Sequence, residues 1–209
     1  MPGIAGGATW SGAAWDPESA TYYVTTYRLP FVIRLVPPPD GFSPTRYVGR
    51  FDVLPGPNRL PLFKPPWGSV VAIDMSRGEH RWRAPVGTGP RNHPALALAN
   101  VPERLGWPTR SFALATKSLL FVANLGYRGP GRQAPFSPRR RVHDLIDVEP
   151  KLYAFDKTTG KLLAEIPLPL ERHRRPDDLP HQRQAAHRFA VGGANITEEV
   201  IALRLPSSE

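Results

Sequence analysis

Val70-Val71-Ala72-Ile73-Asp74-Met75-Ser76-Arg77-Gly78-Glu79-His80-Arg81-Trp82 is the stretch whose reading decides the fold. Val70 to Ile73 is a short apolar run and predicts a strand. Asp74 to Gly78 predicts a tight turn, because the carboxylate can accept from the amides just ahead of it and glycine takes φ > 0 at no steric cost. A second strand returns through His80 to Trp82. The same frame recurs as Leu152-Tyr153-Ala154-Phe155-Asp156-Lys157-Thr158-Thr159-Gly160-Lys161-Leu162-Leu163. Both copies put Ala two residues before Asp and Gly four residues after it. The second has Ala164 where the first has Trp82. Two copies about 80 residues apart suggest a repeat architecture. An ordinary Asp-x-x-x-Gly turn used twice is the plainer alternative, and spacing alone leaves both open.

The chain is 209 residues long, enough for one sizeable core, and it carries 26 Pro and 18 Gly. That composition favours many short strands with ordered turns, and no window sustains a helical apolar period. Cysteine is absent, which excludes disulfides and thiolate metal sites. No run approaches the ~20 apolar residues of a membrane-crossing helix, and Met1 to Gly7 lacks the basic flank and apolar core of a signal peptide. The net charge is +9. The excess is concentrated in Arg128–Arg141 and Arg172–Arg188, neither of which interleaves aromatics with its cations as a stacking surface for nucleic acid does. No nucleic-acid partner is therefore expected.

Along the chain, Trp10 to Thr26 predicts a hairpin turning at Asp16 to Ala20. The glycines around Trp10 would let a flat partner approach the backbone; packing between sheets is the plainer role for that indole. Arg28 to Pro66 is Pro-rich and irregular apart from Phe31–Val36, which predicts an extra strand in a long insertion. Trp67, set between Pro66 and Gly68, is placed either to wall a pocket or to cap a core. His93 has no neighbouring ligand and is expected to be a loop hydrogen-bonder. Phe112–Ala115 and Leu119–Ala123 predict two strands around a turn at Thr116 to Ser118, and residues 126–149 a basic insertion. The chain thus holds two similar units of four antiparallel strands each, as in a propeller blade.

These residues together resemble the C-terminal part of the pyrroloquinoline-quinone (PQQ) dependent quinoprotein dehydrogenases, in the membrane-bound glucose/quinate branch. Ala72, Asp74, Gly78 and Trp82 resemble that family's blade-docking repeat, and Gly6-Gly7-Ala8-Thr9-Trp10-Ser11-Gly12 its Gly-Gly-Ala-Asn-Trp-Gly-Gly segment. Pro65-Pro66-Trp67-Gly68, Gly89-Pro90-Arg91-Asn92-His93-Pro94 and Ala154-Phe155-Asp156-Lys157-Thr158-Thr159-Gly160 resemble it as well. Thr9 departs from the family's Asn, and Ala164 from its docking Trp. Arg174 to Arg188 replaces a strand–turn–strand with a pattern that fits a compensated frameshift.

The resemblance implies an all-β partial β-propeller, with blades over about 6–86 and 109–168 and closing strands over 186–206. It implies oxidation of an alcohol, aldose sugar or polyol by hydride transfer to PQQ, with a quinone as electron acceptor and Ca²⁺ in the complete enzyme. The catalytic base and the calcium ligands are expected upstream of this chain, so no catalytic or metal-binding residue is assigned within it. Thr9 and Trp10 are the expected cofactor contacts, by hydrogen bond and ring edge. Trp67 is a further candidate, as is Arg110 as partner of a cofactor carboxylate. A periplasmic location is implied, with membrane attachment only through an N-terminal region outside this chain. An isolated piece is expected to be inactive; a non-enzymatic propeller remnant or pseudogene product is the alternative.

Overall fold

A computed structural model describes residues 7–54, 56–124, 148, 150–168, 187–193 and 196–203, without the side chains of Trp10, Phe51, Asp52 and 187–203. The chain divides into two units, residues 1–168 and 169–209. The all-β class expected from the sequence holds. The first unit is built on two four-stranded antiparallel sheets. One contains β1 (Ala8–Asp16), β2 (Thr21–Tyr27), β5 (Gly68–Asp74) and β6 (Glu79–Pro85), side by side in that order. The other contains β7 (Ser111–Ala115), β8 (Leu119–Asn124), β9 (Lys151–Asp156) and β10 (Leu162–Pro167). Each sheet follows chain order as a meander, apart from the long connections between β2 and β5 and between β8 and β9. The described part of the second unit is an antiparallel hairpin of β11 (His187–Gly193) and β12 (Ile196–Leu203).

Both Asp-to-Gly turns form alike. Asp74 Oδ1 accepts from the amides of Ser76 (2.9 Å) and Arg77 (3.3 Å), and the Gly78 amide returns to the Asp74 carbonyl at 2.7 Å. Asp156 Oδ1 accepts from Thr158 (3.0 Å) and Thr159 (2.7 Å), and the Gly160 amide reaches the Asp156 carbonyl at 2.9 Å. Gly78 and Gly160 sit at φ of 73° and 72°, where a Cβ is costly. The outgoing strand slips register after each turn, so Trp82 faces Ala72 and Ala164 faces Ala154.

The two sheets pack face to face. Tyr23, Val70 and Ala72 from the first meet Leu120, Val122, Tyr153 and Phe155 from the second. Several of these side chains are fully buried, each contributing roughly 1.5 to 3 kcal/mol. The opposite faces stay open. Trp15 and Tyr22 are 49% and 37% exposed on one, and Phe112 and Leu114 are 44% and 43% exposed on the other. At the β6 edge the sheets are locked by the second turn. Trp82 lies over Gly160, whose hypothetical Cβ would come 2.5 Å from the indole ring. Its Nε1 donates to the Lys157 carbonyl (3.1 Å), which also accepts from the Tyr23 hydroxyl (3.0 Å). The Lys157 ammonium in turn pairs with the nearly buried Asp16 at 2.7 Å. Ala164 stands in the place equivalent to Trp82, and no described residue comes within 4 Å of a Cβ at Gly78.

The insertion differs from its sequence reading. Phe31–Val36 forms β3 as expected, but Val48–Val53 forms a partner, β4, in a region read as irregular. Gly49 and Asp52 weaken the strand signal of β4, and pairing with β3 supplies what propensity does not. Residues 125–147 and 169–186, which hold most of the two basic stretches and of the frameshift-like segment, lie outside the described residues.

Gly160→Ala is expected to cost more than Gly78→Ala. Both pay about 1 to 2 kcal/mol for the left-handed conformation, but only Gly160→Ala also displaces an indole. In a Trp82→Ala background, itself about 3 kcal/mol destabilised, the two alanine substitutions should cost the same. Urea denaturation of the five variants checks this.

The Asp16–Lys157 pair sets a pH window. The Lys157 hydrogen bond holds the Asp16 carboxyl below the usual range, and Asp16 raises the Lys157 ammonium. A lowered acid stabilises above its unfolded pKa and loses that contribution as pH falls through the folded value. The raised lysine loses its contribution as pH climbs past the ordinary lysine range. Thermal melting from neutral to acid pH should therefore fall more steeply in the native chain than in Asp16→Asn, the two curves converging at the acid end.

Candidate functional site

At one end of the first sheet β1 begins, β2 ends and β5 begins, and β7 begins beside them. β1 carries a large bulge there. Ala8 faces Thr26 and Ala13 faces Val24, so three extra residues are accommodated between those pairs. Gly12, at φ 97°, makes this possible, and among the described residues nothing comes within 4 Å of its Cβ position. The bulge contains Trp10, and bulges of this kind re-aim side chains beside binding sites.

The bulge is tied to the second sheet through hydroxyls. Thr9, 5% exposed, bonds to Thr25 Oγ1 at 2.7 Å and Ser11 Oγ at 2.6 Å. The Ser111 carbonyl lies within hydrogen-bonding distance of the hydroxyls of Ser11 (2.6 Å), Thr25 (2.8 Å) and Thr9 (3.2 Å), which share their three protons among these contacts. With three partners inside the protein, the Thr9 hydroxyl is fully used, so Thr9 holds the bulge rather than reaching outward. Sequence reasoning expected a direct contact from this side chain.

Arg110 immediately precedes β7 and is exposed. It lies beside Tyr27, the last residue of β2. Burial pushes the Tyr27 hydroxyl up, and the Arg110 guanidinium pulls it partly back by charge and hydrogen bonding. Tyr27 was not singled out from the sequence. Its signal was there, because Thr21, Tyr23, Thr25 and Tyr27 alternate strictly and all face inward.

Trp67 caps a core rather than walling an opening. It is 3% exposed and packs with Leu96 and Leu105. Its Nε1 donates to the Phe63 carbonyl, its amide donates to the Leu105 carbonyl at 2.7 Å, and its carbonyl accepts from the Arg28 amide at 2.7 Å. Trp67 thus anchors the loop from Val86 to Arg110 over the sheet end, and Tyr27 pairs with the adjacent Gly68. In this loop the His93 Nδ1 accepts from the Ala95 amide at 3.1 Å, the local role expected of it. Arg104 and Lys151 both pair with Glu165, tying the loop to β9 and β10. Burial raises the Glu165 carboxyl, but the two cations outweigh it and hold it below its ordinary range.

The sheet end therefore brings together the Thr9–Trp10 bulge, Tyr27 and Arg110, with Trp67 packed behind them. Among the described residues no cluster of three or more His, Cys, Asp or Glu side chains is placed to hold a metal ion. An exposed guanidinium thus stands at the sheet end that carries the bulge.

The family model for PQQ, the glucose/ethanol/alcohol dehydrogenase β-propeller domain, matches residues 1–178. The chain belongs to this family. It is 25% identical over its whole length to a probable quinate dehydrogenase (quinone) of Xanthomonas campestris pv. juglandis, covering 27% of that protein. Over 59% of its length it is 29% identical to the quinate/shikimate dehydrogenase (quinone) of Acinetobacter baylyi and 27% identical to the quinoprotein glucose dehydrogenase of Escherichia coli, covering 18% of each. The chain thus spans about a quarter or less of these relatives' lengths. Its two four-stranded antiparallel sheets are consistent with part of such a propeller.

The Ser111 carbonyl node yields a prediction for this site. Thr25→Val removes a buried donor at near-constant volume and strands part of the Thr9 cluster, so it should cost about 1 to 3 kcal/mol. Thr26→Val, on the opposite face of β2, should cost less. Chemical denaturation of the two variants makes the comparison.

Proposed function

We propose that this chain forms the closing part of a PQQ-dependent dehydrogenase propeller and supplies one side of its cofactor site. The supporting observation is the Thr9–Gly12 bulge beside Arg110, within a segment matched by the family model over residues 1–178. Thr9 fixes the bulge, Trp10 offers a ring edge, and Arg110 balances a cofactor carboxylate. Tyr27 restrains the Arg110 guanidinium, and Trp67 stiffens the loop behind it. When bound, PQQ accepts the hydride of an alcohol, aldose or polyol substrate, while the protein supplies orientation and charge. A general base and calcium ligands belong to upstream blades in this proposal, so the isolated chain is inactive. Reoxidation passes to a quinone acceptor on the periplasmic side, with membrane attachment through a preceding region.

A second reading, a non-enzymatic propeller remnant, is favoured by Ala164, which gives the second blade no docking indole. A chimera separates the two. This chain replaces the C-terminal segment of the Escherichia coli quinoprotein glucose dehydrogenase, and dye-linked oxidation of glucose, quinate and ethanol is followed with added PQQ. The dehydrogenase reading expects PQQ-dependent turnover of at least one substrate. It also expects Arg110→Ala to weaken PQQ affinity by roughly tenfold or more, the scale of one lost charge-assisted hydrogen bond. A folded chimera with no turnover supports the remnant.

A further inference from the structure

The outer face of the first sheet, which carries Trp15 and Tyr22, ends in a patch that the proposed dehydrogenase role does not use. Thr21, Tyr23, Thr25 and Tyr27 are buried inward, so Tyr22, Val24 and Thr26 point the other way. The Arg28 amide donates to the Trp67 carbonyl at 2.7 Å, which carries the β2–β5 pairing one residue further and puts Arg28 on the Thr26 side. Thr26 stands opposite Ser69, with the two hydroxyl oxygens 3.0 Å apart. From β6, Arg83 donates its Nε–H to the Ser69 hydroxyl at 2.9 Å. Ser69 is 1% exposed, whereas both arginines are exposed. Loss of hydration and the neighbouring Arg28 charge both lower the Arg83 guanidinium. The ion pairs among the described residues join Arg81 to Asp74, Arg104 and Lys151 to Glu165, and Lys157 to Asp16. Arg28 and Arg83 are in none of them.

We propose that Arg28, Arg83 and the Thr26–Ser69 hydroxyl pair form a receptor for one carboxylate, carried on an extended segment of polypeptide laid along this face. Two like charges side by side repel, and an anion between them removes that cost. A guanidinium fork matches a carboxylate in geometry. Arg83 is already aimed, since its Nε–H is held by a buried hydroxyl and its terminal nitrogens are left to meet the anion. The backbone amides around Thr26 and Ser69 are spent in the β2–β5 ladder, so no amide nest wraps a tetrahedral phosphate. Apolar side chains border the cations: Arg83 faces Val71, and Val71 faces Val24. A glutamate or aspartate between apolar neighbours on a strand uses both the cations and this border. A free acid uses only the cations.

Titration of the full chain, followed through the Arg83 Nε–H resonance in nitrogen–proton correlation spectra, tests the proposal. The probes are acetate, a blocked Val-Glu-Val peptide and its Val-Gln-Val counterpart, each at ionic strength held constant with chloride. Acetate and Val-Glu-Val should both shift the resonance saturably, and Val-Gln-Val should not. Val-Glu-Val should bind at least about threefold more tightly than acetate, the scale of a partly covered valine side chain. Arg28→Gln should weaken binding of either probe by roughly two- to fivefold, the range of one exposed ion pair. Arg77→Gln, at an exposed arginine of the first turn, should leave it unchanged. A shift that fails to saturate, one that Val-Gln-Val reproduces, or equal loss from Arg77→Gln overturns the receptor. Acetate binding as tightly as Val-Glu-Val overturns the polypeptide-borne assignment in favour of a free acid. No readout involves PQQ or turnover, so the outcome is independent of the dehydrogenase reading.

Discussion

Everything in the first unit depends on what converges at Lys157. Its carbonyl accepts an indole N–H and a phenol O–H from the facing sheet, and its ammonium meets a carboxylate from the same sheet. One residue in one turn therefore satisfies three polar groups that close packing would otherwise strand. Burying Trp82 and Tyr23 against the second sheet is favourable because their polar tips find partners there. The turn offers that carbonyl because Asp156 and Gly160 hold the backbone in a tight loop. The missing Cβ at Gly160 is what admits the ring. Conformation, packing and hydrogen bonding thus impose the same residue pattern at this turn.

A second lock sits at the other edge, where the Ser111 carbonyl collects hydroxyls from β1 and β2. The two locks differ in kind. The Lys157 lock is large, aromatic and partly ionic; the Ser111 lock is small and made of neutral hydroxyls. Small side chains let β1 and β7 approach closely, and the bulge in β1 needs that close support. The candidate cofactor face is therefore a consequence of inter-sheet packing. Arg110 is positioned because it leads into the strand whose first carbonyl anchors the bulge.

The parts legible in the sequence were those carried by side-chain type and spacing. Asp74, Gly78, Asp156 and Gly160 announced both turns, and the apolar runs announced their strands. The bulge at Thr9–Gly12 was visible only as a glycine-rich stretch, because bulging is a property of register between two strands and not of either alone. The importance of Lys157 was hidden, since a backbone carbonyl does the work and any residue has one. β4 was missed because Gly49 and Asp52 dilute its signal and its partner lies in a neighbouring run. Trp67 looked the same from sequence whether it walled a pocket or capped a core; only the burial of its ring and the use of its N–H distinguish the two.

Ala164 bears on how far the sheet-to-sheet scheme extends. It faces Ala154 in the register that puts Trp82 opposite Ala72, so its side chain is directed at whatever packs beyond the second sheet. A methyl group there makes no contact comparable to an indole on a glycine turn, and it carries no N–H to reach a carbonyl. Any sheet packed against that face must be held by other means, such as apolar contact with Phe112 and Leu114. At the opposite end Gly78 keeps the open, left-handed geometry that accepts an indole at Gly160. The two ends are therefore unequal: one retains the receptor half of the lock, and the other has lost the donor half. Packing at the Gly78 end can follow the same chemistry as Trp82 on Gly160, while packing at the Ala164 end lacks that indole and its N–H.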